Sequence, residues 1–200
     1  VLAAEHLAPT QPQQLFLCGA GVQGIAHAQQ LVRRLGLRRI AVFDPYAADD
    51  LAERLARLTG AQVTRAHDTA GVADAEIVVT ASRSKDPLFA GERIAEGAFV
   101  AAIGSSLPHT RELDDAALAR ASQIAVEWKK QALTEAGDLV LADPALQVAS
   151  KVVELGDIVC GKHAGLRSGA GIRLYKAVGV GLEDIALAGV AYQNYQKKSA

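Results

Sequence analysis

Residues 15–32 read LFLCGAGVQGIAHAQQLV, and the way this stretch folds decides the rest of the chain. An apolar run, Leu15 to Cys18, enters Gly19-Ala20-Gly21-Val22-Gln23-Gly24. An amphipathic pattern follows from Val22 to Leu35 and stops at Gly36. Strand, turn and helix in that order set the glycines in a G-x-G-x-x-G array. The first glycine permits the tight turn, the second lets backbone approach a pyrophosphate, and the third lets helix and strand pack closely. The helix start adds N–H donors for phosphate. Asp44 closes the next apolar run, RIAVFD, where a carboxylate accepts from ribose hydroxyls. The glycines alone are a weak signal. With strand, helix and Asp44 in place, they read as a dinucleotide-binding turn and not a bare structural bend.

Outward from that turn, short apolar runs alternate with helical patterns. RIAVFD is a second strand, followed by the helix DDLAERLARLTG; AQVTRA is a weaker third strand. AEIVVTA, AFVAAIG and QIAVE read as the fourth, fifth and sixth. These runs lack polar/apolar alternation, as expected of a parallel sheet covered on both faces. The expected fold is α/β, a doubly wound Rossmann-type parallel sheet, with terminal helices belonging to a second domain. Residues 1–12 read as the end of an inter-domain helix and 13–165 as the dinucleotide-binding domain. Residues 166–200 read as a strand and helix returning to the second domain.

Composition narrows the function. The 200 residues carry a formal net charge of -1 with no long basic run, which argues against nucleic acid or an anionic membrane as partner. No apolar run reaches the roughly 18 residues of a spanning helix. Cys18 and Cys160 match no metal-site spacing, and two thiols fit a reducing cytoplasm. The chain starts at Val1, holds no methionine, and opens on VLAAEHLAP, the tail of a helix. The expectation is the C-terminal part of a longer polypeptide.

Asp44 also bears on which dinucleotide is held. A carboxylate accepts from two ribose hydroxyls and repels a 2′-phosphate, so NAD(H) is favoured; NADP(H) stays possible through Arg38 and Arg39. The nicotinamide should lie over the ends of the fourth and fifth strands. Those ends supply Thr80, Ala81 and Ser82, then Gly104, Ser105 and Ser106. Each serine taken singly is as readily an ordinary turn residue. His27, one turn into the first helix, reads more readily as a helix-face histidine than as a group that orients the phosphates. Cys18 reads as a small core residue and not a nucleophile. His109 is open between a ligand contact and a solvated loop, and Asp184 suits a helix cap or ion pair. WKKQ and QKKSA read as solvated faces.

Six segments in order carry a family resemblance: CGAGVQGIAHAQQL, AEIVVTASRSKDPLF, IGSSLPHTRELDD, EAGDL, VVELGDIVCGK and IRLYKAVGVGLEDIALAGVAY. Together they resemble the ornithine cyclodeaminase/μ-crystallin family over essentially the whole chain. The resemblance implies a Rossmann domain joined to a substrate and dimerisation domain, a homodimer, and NAD(P) chemistry on a small amino acid or its imine. It also implies that the family's basic substrate residues, a Lys and an Arg, come from a portion without counterpart here. Lys176 matches a family position near the domain junction. Cyclodeaminases resemble G-G-D-C-P where this chain has Gly104-Ser105-Ser106-Leu107-Pro108, so Ser106 replaces their aspartate. A serine is neither a carboxylate base nor a counter-ion for a second amino group. The departure points to NAD(P)H-dependent reduction of cyclic ketimines such as Δ1-pyrroline-2-carboxylate or Δ1-piperideine-2-carboxylate, with Ser106 as the candidate catalytic residue. Ornithine cyclodeaminase, alanine dehydrogenase and a non-catalytic crystallin-like binder are the alternatives.

Overall fold

The strands are β1 (Gln14–Cys18), β2 (Arg39–Phe43), β3 (Gln62–Arg65), β4 (Ile77–Thr80), β5 (Phe99–Ala102), β6 (Ala121–Val126), β7 (Val152–Glu154) and β8 (Ile172–Lys176). They form one sheet, in a computed structural model that describes residues 1–165 and 169–199. The strand order is β3-β2-β1-β4-β5-β8-β6-β7, and every pairing is parallel. Alternate residues of each strand serve opposite faces. Leu15, Leu17, Ile77 and Val79 join one core with Leu7, Leu31 and Leu55. Phe16, Val78 and Val100 join the other with Leu113, Leu118 and Ile124. Both faces are apolar because both are covered, which explains the missing alternation. The half-exposed β3 lies at the edge and is the weakest in pattern.

Helices α1 (Leu2–Leu7), α2 (Val22–Leu35) and α3 (Leu51–Thr59) lie on the first face and bury Leu7, Leu31, Leu51 and Leu55. The strands, turn and helix read at β1, α2 and β2 hold in the structure, with Asp44 just past β2. The closing strand differs. Grouped by sequence with the second domain, β8 instead inserts between β5 and β6 and pairs with both, Val100 with Leu174 and Ile124 with Leu174. Its Ile172, Arg173, Leu174 and Lys176 are buried, so it is an interior strand. The short β7 at the far edge has no counterpart among the expected strands. The expected boundary at 166 lies outside the described residues.

Candidate dinucleotide-binding site and the polar network beneath it

The glycine turn joins β1 to α2 at the carboxyl edge of the sheet, where β1 lies between β2 and β4. Gly19 has φ +90°, and a Cβ there would stand 2.6 Å from the Ala81 carbonyl oxygen. A Cβ on Gly24 would stand 2.0 Å from the Gly19 oxygen. These glycines let helix, turn and β4 close on one another. Gly21 differs: a Cβ there meets nothing within 4 Å, and the residue lines a cleft of about 550 Å³. The first intrahelical donor is Ile25 N–H, to Gly21 O at 3.0 Å. Helix geometry leaves the preceding N–H groups, of Val22, Gln23 and Gly24, for a ligand or water. A backbone face with no side chain, beside a helix start, fits a pyrophosphate.

Asp44 stands just past β2 on the cleft wall. Its Oδ2 accepts from Ala20 N–H at 2.8 Å and its Oδ1 from Tyr46 N–H at 3.0 Å. The carboxylate therefore ties the glycine turn to the loop after β2, a role the sequence did not disclose. Each oxygen keeps a second lone pair for a ribose hydroxyl. Arg38 and Arg39 stand at or before the start of β2, the end away from Asp44, and Arg39 Nε donates to Gln14 Oε1 at 3.1 Å. The arginine beside Asp44 is Arg65, which donates to the carbonyls of Ala47 and Ala48 at 2.8 Å. Tyr46 and Arg83, which sequence reasoning passed over, also line the cleft.

Ala81 and Ser82 line the cleft, whereas Thr80, Gly104 and Ser105 gather around a residue the sequence reading missed. That residue is Glu112, fully buried. Its Oε1 accepts from Ser82 N–H (2.8 Å) and Ser82 Oγ (2.6 Å). Its Oε2 accepts from Thr80 Oγ1 (2.8 Å), Gly104 N–H (2.8 Å) and Ser105 N–H (3.3 Å). One carboxylate thus fastens the loops after β4 and β5.

A second carboxylate, Asp138, accepts from Glu112 N–H (2.7 Å) and Leu113 N–H (2.8 Å) through Oδ1. Its Oδ2 lies 2.8 Å from Lys176 Nζ as an ion pair without hydrogen-bond geometry; the ammonium donates instead to Ser105 O. All three groups are fully buried. The EAGDL motif brings Asp138 there: a Cβ on Gly137 would stand 1.8 Å from Thr110 O, so only glycine lets this segment meet the loop after β5. The sequence signal for the network was the acidic residues of RELDD and EAGDL, quoted for resemblance alone.

Ser106 and His109 are exposed on the same loop. His27 Nδ1 lies 2.8 Å from the Gln23 carbonyl and burial lowers its pKa, in keeping with a helix-face residue. The Cys18 thiol is pushed up, first by burial and then by the Glu112 charge, in keeping with a small core residue. Among the described residues no His/Cys/Asp/Glu group could hold a metal ion, and no helix is long and apolar enough to cross a membrane.

The family model described as "Ornithine cyclodeaminase/mu-crystallin family" matches residues 1–199. The chain belongs to this family. It is 32% identical over 197 residues to a Delta(1)-pyrroline-2-carboxylate reductase of Bacillus cereus, covering 96% of this chain and 60% of that protein. A crystal structure of a probable ornithine cyclodeaminase from Bordetella pertussis Tohama I superposes with TM-score 0.95 at 52% identity, covering 98% of this chain and 63% of that one. The Thermococcus litoralis Delta(1)-pyrroline-2-carboxylate reductase in complex with NADH and L-proline superposes at 0.92 over 100% of this chain and 63% of that one. At 24% identity this last match speaks to the fold alone. The chain spans about three-fifths of the length of the curated relative.

Proposed function

We propose that this chain is the dinucleotide-binding part of an NAD(H)-dependent reductase of small cyclic ketimines, yielding proline from Δ1-pyrroline-2-carboxylate or pipecolate from Δ1-piperideine-2-carboxylate. The observation that carries the reading is Ser106. It is exposed on the loop after β5 and uncharged at the position where the G-G-D-C-P pattern of cyclodeaminases has its aspartate. The 32% identity to a pyrroline-2-carboxylate reductase supports the same reading.

The cofactor supplies a hydride. The protein holds it through the Gly19–Gly24 turn and the N–H groups at the start of α2, while Asp44 accepts from the adenosine ribose. Ala81 and Ser82 would line the nicotinamide end, with Thr80, Gly104 and Ser105 fastening the loops behind it to Glu112. Ser106 offers the substrate a hydroxyl and adds no charge of its own beside a substrate carboxylate. Asp44 disfavours a 2′-phosphate, and NADH should bind at least about tenfold more tightly than NADPH, about 1.4 kcal/mol. The closing helix Gly181–Ser199 would return to a substrate and dimerisation domain through which a second copy would pair.

A second reading, ornithine cyclodeaminase, is favoured by the 52% identity to the Bordetella pertussis protein. Two assays on the intact protein separate them: NADH oxidation with either ketimine, and ammonia release from ornithine at saturating NAD⁺. The reductase reading expects the first to exceed the second, with Ser106→Asp lowering ketimine reduction. Faster release of ammonia overturns it.

A further inference from the structure

Glu112 does more than fasten two loops. Three of its five donors are backbone amides, of Ser82, Gly104 and Ser105, which can only donate, so both carboxyl oxygens are engaged as acceptors. The buried cation near it, Lys176, is already matched by Asp138 at 2.8 Å. Arg111, next in sequence, donates to Leu113 O at 2.7 Å and to Asp115 at 2.8 Å instead. Two buried carboxylates against one buried ammonium leave a net negative charge under the ends of β4 and β5. The interior screens such a charge poorly.

We infer that Glu112 biases the bound cofactor electrostatically. It is a fixed anion behind the nicotinamide end of the cleft that favours the cationic oxidised ring over the neutral reduced one. A site that prefers the oxidised form makes its reduced cofactor the stronger hydride donor, the direction imine reduction requires. The inference rests on the dinucleotide reading of the cleft. Within that reading, Glu112 is a positioning residue that touches neither cofactor nor substrate.

The test is the ratio of dissociation constants for NAD⁺ and NADH, titrated separately at one ionic strength. Wild-type protein should bind NAD⁺ at least as tightly as NADH. Glu112→Gln should shift the ratio toward NADH by about tenfold, about 1.4 kcal/mol. Ser82→Ala, which removes one hydroxyl donor to Glu112 and leaves its charge, should change both affinities together and leave the ratio unaltered. Wild-type protein that holds NADH the tighter overturns the inference, and so does a folded Glu112→Gln with an unchanged ratio. If the glutamine variant fails to fold on thermal melting, the wild-type ratio decides by itself. Failure to bind either dinucleotide would overturn the dinucleotide reading as well.

Discussion

Gly21 and Gly24 share one turn, yet substitution should separate them. The Gly24 Cα faces backbone, with the Gly19 carbonyl oxygen 2.0 Å from where a Cβ would stand. Backbone cannot move aside as a flexible side chain can. Gly24→Ala should therefore destabilise the fold by about 1–3 kcal/mol, read as a lowered midpoint in thermal unfolding. Gly21 has φ -71° and ψ -170°, a conformation open to alanine, and its Cβ would meet nothing. Gly21→Ala should leave stability within about 0.5 kcal/mol while weakening NADH binding severalfold or more, because the methyl projects into the cleft. Equal loss of stability in both variants would contradict this account of the turn. Asp44 teaches a related lesson. Because it clamps the Ala20 and Tyr46 N–H groups, Asp44→Ser should loosen the turn besides removing the repulsion of a 2′-phosphate.

At the scale of the element, β8 is the strand that joins the two halves of the sheet. It arrives from the far end of the chain, pairs with β5 and β6, and ends in Lys176 beneath the loop after β5. Lys176→Met would keep most of the volume but leave Asp138 buried beside no cation. Breaking a buried pair on one side costs about 3–5 kcal/mol. Chemical denaturation should show that loss, and NADH binding should fall with it because Ser105 loses its anchor. A Lys176→Met protein with wild-type stability would mean that the ion pair does not hold the sheet's carboxyl edge. At the other end of β8, Arg173 donates to Leu7 O at 3.4 Å and to Gly97 O. The strand is thus tied to α1 and to the start of β5 as well.

Across the whole molecule, one element stands apart from both cores. In the closing helix Gly181–Ser199, Leu182 is 78% exposed, Ile185 72%, Leu187 70% and Tyr195 69%. Consecutive apolar residues on several sides of one helix exceed the scattered exposure that needs no explanation. The proposed homodimer would give them cover. Sedimentation at micromolar concentration should find the protein self-associated. Ile185→Glu with Leu187→Glu should raise the monomer fraction and leave the unfolding midpoint of the sheet within a few degrees. A wild-type protein that sediments as a monomer would remove the homodimer from the proposal.

The sequence by itself determined the local grammar of this protein. The glycine array between an apolar run and an amphipathic one, Asp44 at the next strand's end, and the alternation of strands and helices were all legible, because periodicity and turn chemistry lie between chain neighbours. The serines and glycine of the loops after β4 and β5 were legible as a candidate site for the same reason. Tertiary structure alone decided that β8 slots between β5 and β6, since parallel pairing joins residues far apart in the chain. It alone revealed Asp44 as a clamp and brought Glu112, Asp138 and Lys176 together under the cleft. In a sequence, Glu, Asp and Lys read as solvated, because burying a charge is costly unless a partner meets it. Whether that partner arrives depends on strands and loops that only packing brings within hydrogen-bond reach.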